Sequence, residues 1–318
     1  MKFFFLLMAA WLQVHGHAQK SSIIITDSEN DLIPEGIAVD TGTKTIYISS
    51  IARHKIIAVD KNGKQRDFIN SGQDNFLEGL GMKIDYKRKW LWVVSDKRDG
   101  KWFTSQVHAF DLKSGKKQQF YSLKDTIPHL FNDLDIANDG RIYLTDTYYS
   151  AIYLVDPEKE QLDLFLKSKK LDYPNGITFG NRGQLFVATY ANGPVTIDLS
   201  TKSITQLKGY KDSAMAHGLD GFVYSNHTLT GIYNIGNDPS KNAVIQYSLS
   251  KDGKSIIGEK IIDKGHKVFH EPTTLAIADH KIYVLANSHL SVYNANKEST
   301  KGKEHLLTPV AIVIYPAN

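Results

Sequence analysis

The side chains that could do chemistry recur at one position of an internal repeat. In six places a residue near the head of a short apolar run falls in the same register: Glu35, Glu78, Asn132, Asn175, His217 and Thr273. Five of these six can offer a side-chain oxygen, and none is apolar. Carboxylate and amide oxygens together suit a hard cation, because Ca²⁺ takes roughly six to eight oxygen ligands and tolerates neutral carbonyls. The pattern favours a cation site, provided that the fold brings these positions together.

The elements that must position these residues are short strands, arranged in a repeat of roughly forty residues. Each repeat has an apolar strand, a turn rich in Gly, Asp, Asn or Lys, a second strand and usually a third. The repeats cover residues 34–60, 77–111, 131–156, 173–199, 216–249 and 272–294. In the third repeat, apolar and polar residues alternate on both sides of the Asn138-Asp139-Gly140 turn, as half-buried strands require. In the sixth, residues 290–294 are predicted as a strand.

Six such units without a helical apolar stripe predict an all-β chain folded as a six-bladed β-propeller. The innermost strands of that fold line a central channel, so the six register positions should converge at one end. Spare strands at residues 23–26 and 310–315 fit ring closure, in which one terminus completes a blade that the other begins. We expect a single propeller over residues 19–318. Two stacked β domains are the alternative, although no Pro-, Gly- or Ser-rich linker separates the halves.

Residues 1–18 differ in composition from the rest of the chain. Lys2 precedes an apolar run over residues 3–12 and then Gly16-His17-Ala18, which is typical of a signal peptide cleaved after Ala18. We therefore expect a secreted or periplasmic protein, with a retained anchor as the alternative. No later segment approaches the roughly 20 apolar residues of a membrane span. The chain has no Cys, so disulfides and thiolate metal sites are excluded. A net charge of +4 without a basic stripe argues against nucleic-acid binding.

Several of these motifs resemble those of the gluconolactonase/regucalcin family, whose relatives include paraoxonase. The resemblance rests on Pro34-Glu35-Gly36, on Asn132-Asp133 before residues 140–143, and on Pro174-Asn175-Gly176. It implies a six-bladed propeller that holds a catalytic divalent metal, most simply Ca²⁺, at the channel mouth and hydrolyses lactones, esters or organophosphates. Carried over by motif, Glu35, Asn132 and Asn175 would be the metal ligands. The family's basic residue two places before the third-blade Asn is replaced by Leu130, so recognition of a sugar-acid lactone does not follow from the resemblance.

Blade five departs from the family pattern, which has an Asp before Gly at the ring position. Two alignments compete: His217-Gly218 keeps the strand register, and Asp220-Gly221 keeps the residue type. We favour His217 in the ring, because Asp220-Gly221 reads as the tight turn into the next strand. A neutral imidazole is a poor calcium ligand. His217 would then shift the metal preference or act as a general base, since its ordinary pKa near 6.5 suits proton transfer at neutral pH.

The leading functional expectation is an exported metal-dependent hydrolase of a lactone or ester. In it Glu35, Asn132 and Asn175 bind the metal, and His217 or Asp220 activates water. Glu78 and Thr273 complete the channel rim. Two alternatives stay open: a non-catalytic propeller that binds a small ligand or protein, and a metal-free propeller resembling strictosidine synthase, in which Glu78 would serve as the base. The expected partner of the first is a small-molecule substrate.

Overall fold

The computed structural model describes residues 21–27, 29–210, 218–235, 238–296 and 298–317. Within these ranges, six four-stranded antiparallel sheets account for all the named strands. Each innermost strand contacts the innermost strands of the two neighbouring blades, so the sheets form a closed ring. The chain is therefore an all-β six-bladed β-propeller, which confirms the predicted fold class. The predicted signal peptide and His217 lie outside the described residues.

The strands follow the chain blade by blade, after a first strand β1 (Ser22–Ile25). Blade one comprises β2 (Pro34–Val39), β3 (Ile46–Ser50), β4 (Lys55–Val59) and β5 (Gln65–Ile69), and blade two comprises β6 (Glu78–Asp85), β7 (Trp90–Asp99), β8 (Trp102–Asp111) and β9 (Lys117–Asp125). Blade three comprises β10 (Phe131–Ile136), β11 (Ile142–Asp146), β12 (Ala151–Asp156) and β13 (Gln161–Lys167), and blade four comprises β14 (Pro174–Phe179), β15 (Leu185–Thr189), β16 (Gly193–Ile197) and β17 (Ile204–Gln206). Blade five comprises β18 (Leu219–Ser225), β19 (Thr228–Tyr233), β20 (Ala243–Leu249) and β21 (Ile256–Lys264), and blade six comprises β22 (Leu275–Ala278), β23 (Lys281–Leu285), β24 (Ala311–Pro316) and β1.

The two spare strands close the ring, as predicted. β24 pairs with β23 on one side and with β1 on the other, where Ser22 lies opposite Ile314 and Ile25 opposite Ala311. The N-terminal strand is thus the outermost strand of blade six, and the other three strands of that blade come from the C-terminal part of the chain. Ring closure makes the stability of blade six depend on both ends of the described chain.

One predicted strand is wrong, because residues 290–294 lie in a short helix, α1 (Leu290–Ala295). Leu290 and Val292 alternate as strand residues would, yet both pack against the core between blades two and three, and Tyr293 is buried there. The third strand of blade six is β24 instead. Contacts with other blades, rather than alternation along six residues, decide the structure of this segment. In the ranges described above, no helix has the length and apolarity needed to cross a membrane.

Candidate functional site

A shared irregularity of the innermost strands builds the site. In β2, β6, β10, β14 and β18, the pairing with the next strand shifts after the first few residues, and two residues stay unpaired at the shift. The unpaired pairs are Glu35-Gly36, Leu80-Gly81, Asn132-Asp133, Asn175-Gly176 and Asp220-Gly221. A β-bulge bends its strand and re-aims a side chain. The same bulge in five blades therefore places one residue of each blade at an equivalent position near the channel axis.

Glycine follows the ring residue in four of these blades because the neighbouring blade leaves no room for a side chain. A Cβ on Gly36 would lie 2.1 Å from the Leu80 carbonyl oxygen, and one on Gly176 would lie 2.4 Å from the Phe222 backbone nitrogen. The innermost strands can therefore approach closely around the axis. Their ring residues are brought into a single small space.

The structure corrects the register of blade two. The ring position there is held by Leu80, whereas Glu78 lies at the start of β6, opposite Asp96 and before the bulge. Leu80 is buried in the core between blades two and three. The prediction that Glu78 belongs to the ring is therefore wrong, and blade two contributes no oxygen-bearing side chain to it.

The structure also corrects blade five. Asp220 and Gly221 lie inside β18, and the tight turn of this hairpin is formed by Asn226 and His227, both with positive φ. The assignment of Asp220-Gly221 to that turn is wrong, since the bulge of β18 falls on these two residues. Asp220 holds the ring register predicted for His217, which lies outside the described residues.

The ring residues surround one small cavity at the axis. Glu35, Asn132, Asn175, Asp220 and Thr273 line it, together with Gly81, Asp133 and Thr274. The cavity measures about 10 Å³, which is the space that one water molecule or ion requires. The predicted metal ligands Glu35, Asn132 and Asn175 are thus brought together, and Thr273 joins them from blade six. A longer channel of about 140 Å³ continues beyond Asp133 and Thr274 toward the other end of the propeller.

Three carboxyl groups share this space, and burial disfavours the charged form of each. Burial, and then repulsion from Asp220, raise the pKa of Glu35 well above its ordinary value. Burial raises the pKa of Asp220 and that of Asp133 to about 7. Burial would lower the pKa of Lys83, but Asp135 and Asp133 raise it, and the Lys83 Nζ lies 3.2 Å from Asp135 Oδ1. The described residues therefore bring too little positive charge to the cavity to balance its carboxyl groups.

Hydrogen bonds fix the orientation of two ring side chains. The Asn132 side-chain amide donates to the Thr147 hydroxyl at 3.0 Å, and that hydroxyl donates to the Pro174 carbonyl oxygen at 2.7 Å. Because the Asn132 nitrogen is engaged, its carbonyl oxygen is the atom left to serve the cavity. On blade five, the Asn234 amide donates to Asp220 Oδ2 at 3.4 Å. Thr147 and Asn234 are positioning residues that no sequence motif singled out.

We expect Thr147→Val to weaken Ca²⁺ binding by about tenfold, since loss of a group that orients a ligand typically reduces metal affinity by roughly 10–100-fold. Valine keeps the shape of threonine but cannot accept the hydrogen bond from Asn132. Thr228→Val, at the opposite end of the propeller, is the matched control and should bind as the unmodified chain does. Calorimetric titration measures both. Equal affinity of the Thr147 variant and the control would show that Asn132 needs no such support.

The donor set at the cavity fits a hard cation. Glu35 Oε2 is buried and has no hydrogen-bond partner in the described part of the chain. An unpaired buried carboxylate is costly, and a cation offsets that cost directly. Two carboxylates and two amide oxygens, from Glu35, Asp220, Asn132 and Asn175, are ligands of the type that Ca²⁺ prefers. Over the described ranges, no group of three or more His, Asp or Glu side chains is arranged to hold a metal, so any cation here depends on the amides.

Comparison with known proteins finds a family model that matches part of this propeller. Residues 33–189 match the family model described as the SMP-30/Gluconolactonase/LRE-like region. That match spans β2 to β15 and includes Glu35, Asn132 and Asn175. No curated protein matches the chain in sequence.

Solved structures share the fold at low sequence identity. A gluconolactonase from Xanthomonas campestris is 13% identical with a TM-score of 0.60, over 94% of this chain and 91% of that one. Virginiamycin B lyase from Staphylococcus aureus is 15% identical with a TM-score of 0.58, over 84% and 82%. A PQQ-bound aldose sugar dehydrogenase from Streptomyces coelicolor is 14% identical with a TM-score of 0.58, over 93% and 98%. These three proteins carry out different reactions, so the likeness shows the fold alone.

Proposed function

Because residues 33–189 match the SMP-30/Gluconolactonase/LRE-like family model, we propose that the chain is a metal-dependent hydrolase of a lactone or ester. The observation that carries the proposal is the convergence of Glu35, Asn132, Asn175 and Asp220 on one ion-sized cavity. The unpartnered, buried Oε2 of Glu35 supports it, because such an oxygen is stabilised by a cation.

We assign metal binding to Glu35, Asn132 and Asn175, with Ca²⁺ as the cation that carboxylate and amide oxygens favour. The cation would supply a Lewis acid for a substrate carbonyl oxygen. Thr147 holds the Asn132 amide, and Thr273 donates to the Glu35 backbone carbonyl at 3.2 Å, so the ring is held from the neighbouring blades. Leu80 leaves one side of the ring without a polar group.

We assign proton transfer to Asp220. Burial raises the pKa of Asp220 to about 7, and a cation in the same cavity would lower it, which keeps the carboxyl ionised and able to accept a proton at neutral pH. In the proposed reaction the oxygen of water bonds to the carbonyl carbon, and the bond from that carbon to the alcohol oxygen breaks. Asp220 accepts the proton that water loses, and the proton ends on the released alcohol oxygen. A lactone thereby becomes one hydroxy acid, and an ester becomes an acid and an alcohol.

A panel of γ- and δ-lactones and aryl esters tests this function. We expect hydrolysis of at least one of them by protein supplied with Ca²⁺, loss of that activity in EDTA, and recovery when Ca²⁺ is restored. Calcium binding without turnover of any member would favour the non-catalytic binding propeller. Turnover that EDTA leaves unchanged would contradict the metal requirement and favour a metal-free site.

A further inference from the structure

A second pocket lies at the same end of the propeller, between blades two and three. It measures about 360 Å³ and shares no lining residue with the axial cavity. Glu78 and Asp96 of blade two line it, and so does Tyr148 of blade three. A volume of this size accommodates a small organic ligand, whereas the axial cavity has room for one ion. The two spaces therefore suit different occupants.

A pair of carboxyl groups forms the polar side of this pocket. Glu78 and Asp96 are directly opposed across β6 and β7, which places their Cβ atoms about 5 Å apart. Asp96 is only 5% exposed. Its Oδ1 accepts hydrogen bonds from the Ser105 hydroxyl and from the Phe131 backbone N–H, the latter at 3.1 Å. Its Oδ2 is buried and has no partner among the described residues. This side of the pocket thus holds a carboxyl group whose hydrogen-bonding capacity the chain does not fully use.

The protonation of the pair indicates the kind of ligand group that would bind it. Burial raises the pKa of Glu78 to about 7 and raises that of Asp96 well above its ordinary value. A protonated carboxyl both donates and accepts hydrogen bonds, and a hydroxyl group does the same. A ligand hydroxyl group can therefore either donate a hydrogen bond to this pair of carboxyl groups or accept one from it.

Charges around the pocket disfavour an ionic ligand. Lys97 and Arg98 of β7 and Glu298, which follows α1, are exposed residues that line the pocket. A cationic ligand would meet the two basic groups, and an anionic ligand would meet Glu298 and the ionised form of Glu78. Phe103 and Tyr148 add flat apolar surface to the walls. A neutral ligand with several hydroxyl groups and an apolar face fits all of these features.

We propose that this pocket binds a neutral carbohydrate, whose hydroxyl groups hydrogen-bond to Glu78 and Asp96 and whose ring packs against Phe103 and Tyr148. The site is independent of the proposed hydrolase activity, because it is built from residues that do not line the axial cavity. It also gives Glu78 a role outside the ring.

Calorimetric titration with D-glucose and with maltose, supported by saturation-transfer NMR, tests the proposal. At least one of these sugars should bind to the full chain at millimolar concentration. Glu78→Ala should weaken binding by about tenfold, which is the effect of losing one hydrogen bond of roughly 1.4 kcal/mol. Phe103→Ala should weaken it through the loss of the stacking surface. Glu78 and Phe103 are both partly exposed, so neither substitution opens a core cavity.

Two further comparisons test which of the two sites binds the sugar and whether a charge on the ligand weakens binding. Glu35→Gln alters the axial cavity and should leave sugar binding unchanged, whatever it does to hydrolysis. Glucosamine and glucuronate, which carry a positive and a negative charge on the same pyranose ring, should bind more weakly than glucose. The proposal is overturned if neither neutral sugar binds, if binding survives both pocket substitutions but not Glu35→Gln, or if either charged sugar binds more tightly than glucose.

Discussion

Glu35→Gln is expected to reduce lactone or ester hydrolysis by about a hundredfold or more, because losing a metal ligand forfeits several kcal/mol of transition-state stabilisation. Glutamine keeps the size of glutamate and one of its oxygens but cannot carry the negative charge that holds a cation. Steady-state assays at saturating Ca²⁺ measure the loss. Glu271→Gln is the matched control, since Glu271 is a buried carboxylate on a neighbouring segment that accepts from the Ser291 N–H at 2.9 Å. Its turnover should stay close to that of the unmodified chain.

The same variant separates a functional effect from a folding defect. Burial raises the pKa of Glu35 above the value that it has in the unfolded chain. At a pH above that unfolded value, the folded state must either protonate Glu35 or bury its charge. Both reduce the free energy of unfolding. Glutamine is always neutral. In EDTA the variant should therefore unfold at the same temperature as the unmodified chain or higher, although it is inactive. An active Glu35→Gln protein, or one that fails to fold, would contradict this assignment of Glu35.

Calcium is expected to raise the melting temperature of EDTA-treated protein by roughly 5 °C when it is present at a hundred times its Kd. The proposed ligands Glu35, Asn132 and Asn175 come from blades one, three and four, which are distant in sequence, so the unfolded chain has almost no such site. A ligand that binds only the folded state stabilises it by about 2.7 kcal/mol at that concentration, and a domain of this size gains roughly 2 °C per kcal/mol.

Asn175→Ala should diminish this thermal shift, because it deletes one oxygen ligand. Asn192→Ala, which changes an exposed Asn in a turn of the same blade, is its control and should leave the shift intact. Differential scanning fluorimetry with a calcium series measures all three proteins. Equal shifts for the two variants would remove Asn175 from the proposed ligand set.

The sequence was sufficient to predict the blades, because each strand carries its own apolar alternation and turn residues. Ring closure was also predictable as a pairing of the two ends, and the structure adds that β1 is the outermost strand of blade six. The strand predicted at residues 290–294 failed because the contacts that make it helical come from blades two and three. Local pattern does not report such distant contacts.

The ring register was harder to predict, for a reason that blades two and five share. Each of these blades has two candidate dipeptides that end in glycine. In blade two they are Glu78-Gly79 and Leu80-Gly81, two residues apart. In blade five they are His217-Gly218 and Asp220-Gly221, three residues apart. Only the strand pairing shows which glycine sits in the bulge. In blades one and four a single candidate exists, and there Glu35 and Asn175 were placed correctly.

Other members of the site carry no sequence signal of their own. Asp133 lines the cavity. It was not predicted as a site residue, because the motif assigns the ligand role to its neighbour Asn132. Thr147 and Asn234 act through hydrogen bonds to ring residues, across 15 and 14 residues of chain. Supporting residues of this kind are defined by the packed blades, and the structure is needed to find them.

Direct calorimetric titration of Ca²⁺ into EDTA-treated protein, compared with Glu35→Gln, tests whether the axial ring is a cation site. One ion should bind per chain in the unmodified protein, and the variant should show no measurable binding. Absence of binding in the unmodified protein, or equal binding in both, would contradict this expectation.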